Sequence, residues 1–255
     1  MSRIAETFAA LQRQGRKALV GFLMAGDPTP AEAERRMRTA LATGVDILEL
    51  GVPFSDPTAD GPVIQAAARR ALARGTDVAA ALACARRLRR DCAAPLVLFG
   101  YANPFFVRGY ARVCAEAAAA GVDALLVVDL PFEEADELRG QAERCGLDLI
   151  PLVAPTTPAE RLARWLPGAR GFVYYITVRG VTGMRHGLPA NLAAQISRLR
   201  RHTKLPIVAG FGVRNGAQAR AVATAADGVV IGSALIRAAE RGRLAAFVRR
   251  VRHAL

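Results

Sequence analysis

Apolar positions along the chain fall into short runs, and these alternate with longer stretches in which apolar residues recur at helical spacing. The runs at 18–23, 47–50, 96–99, 124–128, 148–152, 171–176, 207–209 and 228–231 read as strands. Helical patterns cover 31–42, 63–90 (broken near Gly75), 110–120, 133–145, 159–166, 190–201, 216–225 and 233–252. A further amphipathic helix spans 1–14, with Ile4, Phe8 and Leu11 on one face. Strands alternating with helices imply parallel pairing, and eight such units imply closure into an α/β fold, a (β/α)8 or TIM barrel. The expectation is one domain over 1–255, with the first helix covering the N-terminal end of the barrel. An open doubly wound sheet usually carries a GxGxxG turn after its first strand. Here that strand ends in Met24-Ala25-Gly26-Asp27-Pro28, which does not match.

Helices often feed strands through a recurring phrase: Thr43-Gly44-Val45-Asp46, Ala120-Gly121-Val122-Asp123 and Cys145-Gly146-Leu147-Asp148. A glycine just past a helix takes the left-handed conformation that ends it. These read as structural residues of the barrel's bottom face.

The chain has 255 residues, 52% of them hydrophobic, enough for a sizeable core and against disorder. Its net charge of +13 comes almost wholly from arginine, since lysine occurs only at Lys17 and Lys204. Runs such as Arg86-Arg87-Leu88-Arg89-Arg90 lie on predicted helices without interleaved aromatics, so solvated helix faces are favoured over a nucleic-acid platform. The same charge would attract an anionic substrate. Cys84, Cys92, Cys114 and Cys145 form no CxxC pair and have no nearby His, so free thiols in a reducing compartment are expected, with no metal site. There is no signal-peptide core and no membrane-length apolar run, which points to the cytoplasm.

A barrel carries its chemistry at the C-terminal ends of its strands. In Asp46-Ile47-Leu48-Glu49-Leu50-Gly51, alternation turns Leu48 and Leu50 outward and Ile47, Glu49 and Gly51 inward. Glu49 is thereby placed in the upper interior, where burial raises a carboxyl pKa toward neutral and suits it to acid/base work. The competing reading is an ion pair with an inward Arg or Lys. The next loop, 52–62, holds three prolines and the acids Asp56 and Asp60. On spacing alone Asp60 is equally a helix N-cap or a site carboxylate, and Asp56 a turn former.

The run Leu48-Glu49-Leu50-Gly51-Val52-Pro53-Phe54-Ser55-Asp56-Pro57, continuing Ala59-Asp60-Gly61-Pro62 and Ile64-Gln65, resembles the signature of the tryptophan synthase alpha subunit family. Phe22-Leu23 with Ala25-Gly26-Asp27-Pro28, Tyr101-Ala102-Asn103-Pro104, Gly180-Val181-Thr182-Gly183, Gly210-Phe211-Gly212-Val213 and Ile231-Gly232-Ser233-Ala234 agree in order, so the resemblance spans essentially the whole chain. It implies cleavage of indole-3-glycerol phosphate to indole and glyceraldehyde 3-phosphate, without a metal or organic cofactor. Glu49 would then be the main acid/base, and Asp60 would bind the indole N–H and stabilise the charge growing there.

Phosphate requires backbone donors and a helix N-terminus, and Phe211-Gly212 and Gly232-Ser233 offer them after the seventh and eighth strands. Ordinary turn glycine is the competing reading for each segment alone. Gly183 would add a third contact. The resemblance places the indole pocket at Phe22, Tyr101, Leu126, Val128, Tyr174 and Phe211, where plain core packing competes at each. Tyr174 and Tyr175 are adjacent, so only one can face inward, and motif register favours Tyr174. The long stretch 177–188 reads as a lid, and the resemblance implies that Thr182 in it helps position Asp60. Val178-Arg179, Met184-Arg185-His186 and Met24 depart from the common family wording, and His186 reads as a solvated histidine.

The resemblance further implies a pyridoxal-phosphate-dependent beta subunit as partner in an alpha2-beta2 heterotetramer, docked near Asp56 and Asn103. The runner-up is a stand-alone lyase releasing free indole. A sugar-phosphate isomerase or Schiff-base aldolase of the same fold is a further alternative, although the two lysines flank strands at their N-terminal ends, away from the chemistry. A nucleic-acid binder is the non-enzymatic alternative.

Overall fold

The computed structural model describes residues 2–176, 191–210 and 212–255. Nine strands run parallel: β1 (Ala18–Met24), β2 (Ile47–Gly51), β3 (Leu96–Gly100), β4 (Ala124–Val127), β5 (Asp148–Leu149), β6 (Leu152–Val153), β7 (Val173–Ile176), β8 (Ile207–Gly210) and β9 (Gly228–Ile231). Their order in the sheet is β5-β4-β3-β2-β1-β9-β8-β7-β6. The two ends of that order, β5 and β6, are consecutive pieces of one segment. Ile150 N–H donates to Leu125 on one side (2.9 Å) and the Pro151 carbonyl accepts from Tyr174 N–H on the other (2.9 Å), so the sheet closes into a barrel. The single strand expected over 148–152 is split because Pro151 has no N–H to give the ladder.

Helices separate the strands: α1 (Arg3–Arg13), α2 (Pro30–Thr43), α3 (Pro62–Leu72), α4 (Val78–Arg89), α5 (Ala102–Arg108), α6 (Tyr110–Ala119), α7 (Asp136–Arg144), α8 (Ala159–Trp165), α9 (Leu192–Arg200), α10 (Gly216–Ala223), α11 (Ser233–Glu240) and α12 (Leu244–Ala254). The pattern over 63–90 breaks at Gly75 as expected. That over 233–252 also breaks, at Gly242, where φ is +65°. The short α5 has no counterpart in the periodicity. The lid stretch with Thr182, Gly183 and His186, and Phe211, lie outside the described residues. Among the described residues no helix is long and apolar enough to cross a membrane. The four cysteines are free thiols.

Strand alternation sorts the core into two shells. Leu48, Leu50, Leu98, Leu125 and Val229 lie under the helices, while Val20, Ile47, Val97, Ala124, Leu126, Val208 and Val230 fill the barrel interior. Ile4, Phe8 and Leu11 of α1 join the inner shell, with Phe8 5.9 Å from Phe172, so α1 closes the bottom. Burying each of these three contributes roughly 1.5–3 kcal/mol.

The recurring Gly-x-Asp phrases supply the rest of the bottom. Gly44, Gly121 and Gly146 have φ of +125°, +79° and +72°, the left-handed turn that ends the preceding helix. Asp46 and Asp123 then clamp the neighbouring strand, as does Asp227 before β9. Asp46 N–H donates to Leu19 O while its Oδ2 accepts from Leu19 N–H (2.8 Å). Asp123 does the same with Leu96 (2.7 Å), and Asp227 with Ile207 (2.9 Å). Each carboxylate also holds an arginine: Arg252 on Asp46, Arg89 and Arg3 on Asp123, Arg200 on Asp227. Part of the basic excess is therefore spent on stitching the barrel's lower rim.

Asp123→Ala strands the Leu96 N–H and leaves the half-buried Arg89 without its carboxylate partner. It should cost about 3 kcal/mol in denaturant unfolding while leaving turnover per folded molecule unchanged, because the chemistry lies at the opposite end.

Candidate active site

Glu49 sits on β2 beside Phe22 of β1 and Val97 of β3 in the sheet register. Its side chain points inward, as alternation requires, and the residue is 0% exposed. Neither carboxyl oxygen has a hydrogen-bond partner among the described residues, and no cation there pairs with it. The ion-pair reading therefore finds no support among the described residues. Removal from water disfavours the charged form, and burial alone pushes the carboxyl up to about 8. Glu49 is protonated at neutral pH.

Asp60 arrives from the adjoining loop. Its N–H donates to Pro57 O (3.1 Å), and its carbonyl accepts from Gln65 Nε2 of α3 (2.9 Å). The residue is buried, although Ser55, Asp56, Thr58 and Ala59 before it are exposed. It does not cap the helix: Gly61 is the N-cap of α3, without a side-chain bond, and Pro62 opens the first turn. The Asp60 side chain instead turns inward, where Oδ2 accepts a 3.0 Å hydrogen bond from the Tyr101 hydroxyl. Burial raises the carboxyl to about 6, and the Tyr101 bond opposes the rise. Two acids on consecutive elements are thus separated by environment, the pattern by which one carboxyl carries a proton while the other stays charged.

The walls are aromatic. Phe22 is buried and meets Phe99 edge-on at 4.9 Å. Phe54 covers Tyr101 at 5.2 Å. Of the adjacent tyrosines, Tyr174 lines the interior, while Tyr175 packs outside and donates to Gln195 Oε1 (3.2 Å). Burial, and at high pH the ionised forms of Glu49 and Asp60, hold the Tyr174 phenol in its protonated form. Two glycines make the space: a Cβ at Gly51 would lie 2.5 Å from Phe22 Cζ, and one at Gly210 would lie 2.6 Å from the Tyr174 hydroxyl. Leu126 lies in the fully buried layer with Val97 and Val208, and Val128, just past the end of β4, is half-buried.

Gly232 is the N-cap of α11, with no side-chain cap bond, and Ser233 begins the helix, so the first N–H groups of α11 have no intrahelical partner. A Cβ added at Gly232 would meet Phe22 Cβ at 3.5 Å and Ile64 Cδ1 of α3 at 3.6 Å, so this corner adjoins the aromatic pocket and the helix behind Asp60. Gly212 is exposed with φ +34° in the turn after β8. Among the described residues no group of three His, Cys, Asp or Glu is placed to hold a metal.

Two contributors escaped the sequence reading. Phe99 could have been found by stepping two residues from Val97 along the same strand face. The bond from Tyr101 to Asp60 joins residues 41 apart and had no local signal.

The sequence model of the family described as tryptophan synthase alpha chain matches residues 8–252. The tryptophan synthase alpha chain of Geobacter sulfurreducens is 49% identical over 262 residues, covering 100% of this chain and 99% of the relative. That of Gluconacetobacter diazotrophicus is 52% identical, covering 92% and 86%. Among solved structures, a Mycobacterium tuberculosis tryptophan synthase superposes with a TM-score of 0.93 at 36% identity, covering 99% of this chain and 98% of that one. The tryptophan synthase alpha chain of Legionella pneumophila gives 0.91 at 37%, covering 100% and 97%.

The buried acid has a signature in stability. A folded-state value raised from 4.5 to about 8 means that wild-type stability is lost as pH climbs through that window. Glu49→Gln does not titrate, so its melting temperature should rise relative to wild type across the window and level off above about 8. A pH-independent difference in calorimetry would contradict the assignment.

Proposed function

This chain belongs to the tryptophan synthase alpha chain family, and on that premise we propose that it cleaves indole-3-glycerol phosphate to indole and glyceraldehyde 3-phosphate. The observation that carries the proposal is a fully buried Glu49, unpartnered among the described residues, in the same pocket as a second carboxyl that is held by a donor. Protonated Glu49 delivers its proton to the ring carbon bearing the glycerol chain. The ring nitrogen becomes positive, and ionised Asp60, hydrogen-bonded to the indole N–H, stabilises that charge. The Glu49 carboxylate then takes the proton from the adjacent glycerol hydroxyl. The hydroxyl electrons form the aldehyde C=O, the carbon–carbon bond breaks, and its electron pair restores the indole ring. Glu49 ends protonated, as it began.

Phe22, Tyr101, Leu126, Val128 and Tyr174 supply the apolar surface for the indole. The free N–H groups at Gly232-Ser233, with Gly212 beside them, suit a phosphate dianion. The aromatic pocket and the phosphate corner share Phe22, as a substrate with an indole at one end and a phosphate at the other demands.

The partner is a beta subunit in an alpha2-beta2 assembly. Phe106 and Val107 of α5 are 65% and 78% exposed and are the exposed large hydrophobics among the described residues. They lie on the short helix that carries Asn103 and begins directly after Tyr101, the residue bonded to Asp60, a position where an apolar pair needs covering.

Indole release should follow a bell-shaped pH profile. It falls below about 6 as Asp60 gains a proton and above about 8 as Glu49 loses its own. Glu49→Gln and Asp60→Asn should each lower turnover about 10²-fold or more; near-normal rates in both would refute the mechanism. Added beta subunit should raise the rate, and Phe106→Asp should weaken the complex about tenfold or more with the melting temperature unchanged. Full activity alone, unaffected by beta subunit, would instead identify a stand-alone lyase.

A further inference from the structure

We propose that Tyr101 is a positioning residue for Asp60: its hydroxyl aims the carboxylate at the ring N–H and keeps it ionised, beyond any part its ring plays as pocket wall. This rests on Asp60 acting as the charged partner of the substrate.

The phenol oxygen has two engagements, and they involve consecutive residues. It accepts from the Ala59 N–H at 3.1 Å and donates to Asp60 Oδ2 at 3.0 Å. The hydroxyl thus closes a small ring over one peptide unit and its carboxylate, which selects a single rotamer of Asp60. The Ala59 bond polarises the O–H and makes it a stronger donor. Among the described residues no hydrogen bond reaches Oδ1, so one oxygen is fixed and the other is left for a ligand. The Asp60 backbone is pinned independently through Pro57 and Gln65, which among the described residues leaves the carboxylate torsions to Tyr101.

Tyr101 is itself held fast. It is 2% exposed, its ring lies against Phe54, and it is the N-cap residue of α5. The next residue, Ala102, donates its N–H to Asp129 Oδ1 at 2.7 Å, which ties the start of α5 to the loop after β4. Burial and the Asp60 charge both hold the phenol in its protonated form, so it remains a donor throughout the working range. A donor to the ionised form lowers the carboxyl value against the desolvation that raises it.

Tyr101→Phe keeps the ring and the pocket wall and removes only the hydroxyl. Turnover should fall about tenfold with little change in KM, and the acid limb of the profile should move up by about one pH unit. In the Asp60→Asn background the same change should add nothing. Carbon-13 NMR titration of the Asp60 carboxyl, without substrate, should show the same upward shift. An unmoved Asp60 titration and an unmoved acid limb would overturn the proposal and leave Tyr101 a wall. If Asp60→Asn itself keeps its rate, the functional reading of Asp60 fails instead, whatever Tyr101 does to the titration. Should Tyr101→Phe turn over too slowly for a profile, the NMR titration decides alone.

Discussion

Glu49 is held away from water with nothing among the described residues donating to either oxygen, and the barrel around it has to tolerate that cost. A free carboxylate could not stay there ionised; a neutral acid can. The position is therefore a constraint on the whole interior. Strand alternation must bring residue 49 inward at the level of Phe22, and Gly51 and Gly210 must omit side chains so that Phe22 and Tyr174 can fold over the site. No inward cation approaches among the described residues, or the acid would lose its proton and with it the first step of the chemistry. The stabilising terms that offset this lie elsewhere, in the aliphatic shell under the helices and in α1 across the bottom.

Stability and chemistry are divided between the two ends of the strands. At the lower rim, three aspartates each pair both the N–H and the C=O of a neighbouring strand and hold an arginine besides. At the upper end the two site carboxyls are starved of partners, unlike Asp27 nearby, which Arg70 pairs: among the described residues Glu49 has none and Asp60 has one side-chain donor. The same residue type is thus satisfied where it builds the barrel and underpaired where it works. A fully paired carboxylate would sit at low pKa and move no proton near neutrality.

Alternation made much of this legible. Once β2 was recognised, Glu49 and Ile47 had to face in, and Leu48 and Leu50 out. The Gly-x-Asp phrases marked the lower rim because a helix end and a strand start impose the same local demands each time. Three features were not local. Asp60 stood where an N-cap would stand, and only the three-dimensional position of Tyr101 separates the two readings. The break in the fifth stave follows from Pro151, but a proline at a strand position does not say whether the strand bends or ends. Phe106 and Val107 lie on a helix too short for its periodicity to show, so their exposure could not be read from the pattern.

The two carboxyls end about two pH units apart in opposite protonation states, and what separates their surroundings among the described residues is the deeper burial of Glu49 and the hydroxyl on Asp60. Both are buried, and desolvation raises both. Carboxyl type accounts for little of the gap, since Asp and Glu differ by only about 0.4 unit in water. Glu49 feels desolvation alone, whereas Asp60 feels it against a phenol that donates and cannot ionise in range. An equal donor on Glu49 would lower its value toward neutrality and leave less acid ready, while loss of the donor on Asp60 would raise its value toward neutrality and leave the ring nitrogen less counter-charge. The asymmetry that the reaction needs is therefore set by the deeper burial of Glu49 together with the hydrogen bond to Asp60, and Tyr101, from the end of the third strand, supplies that bond.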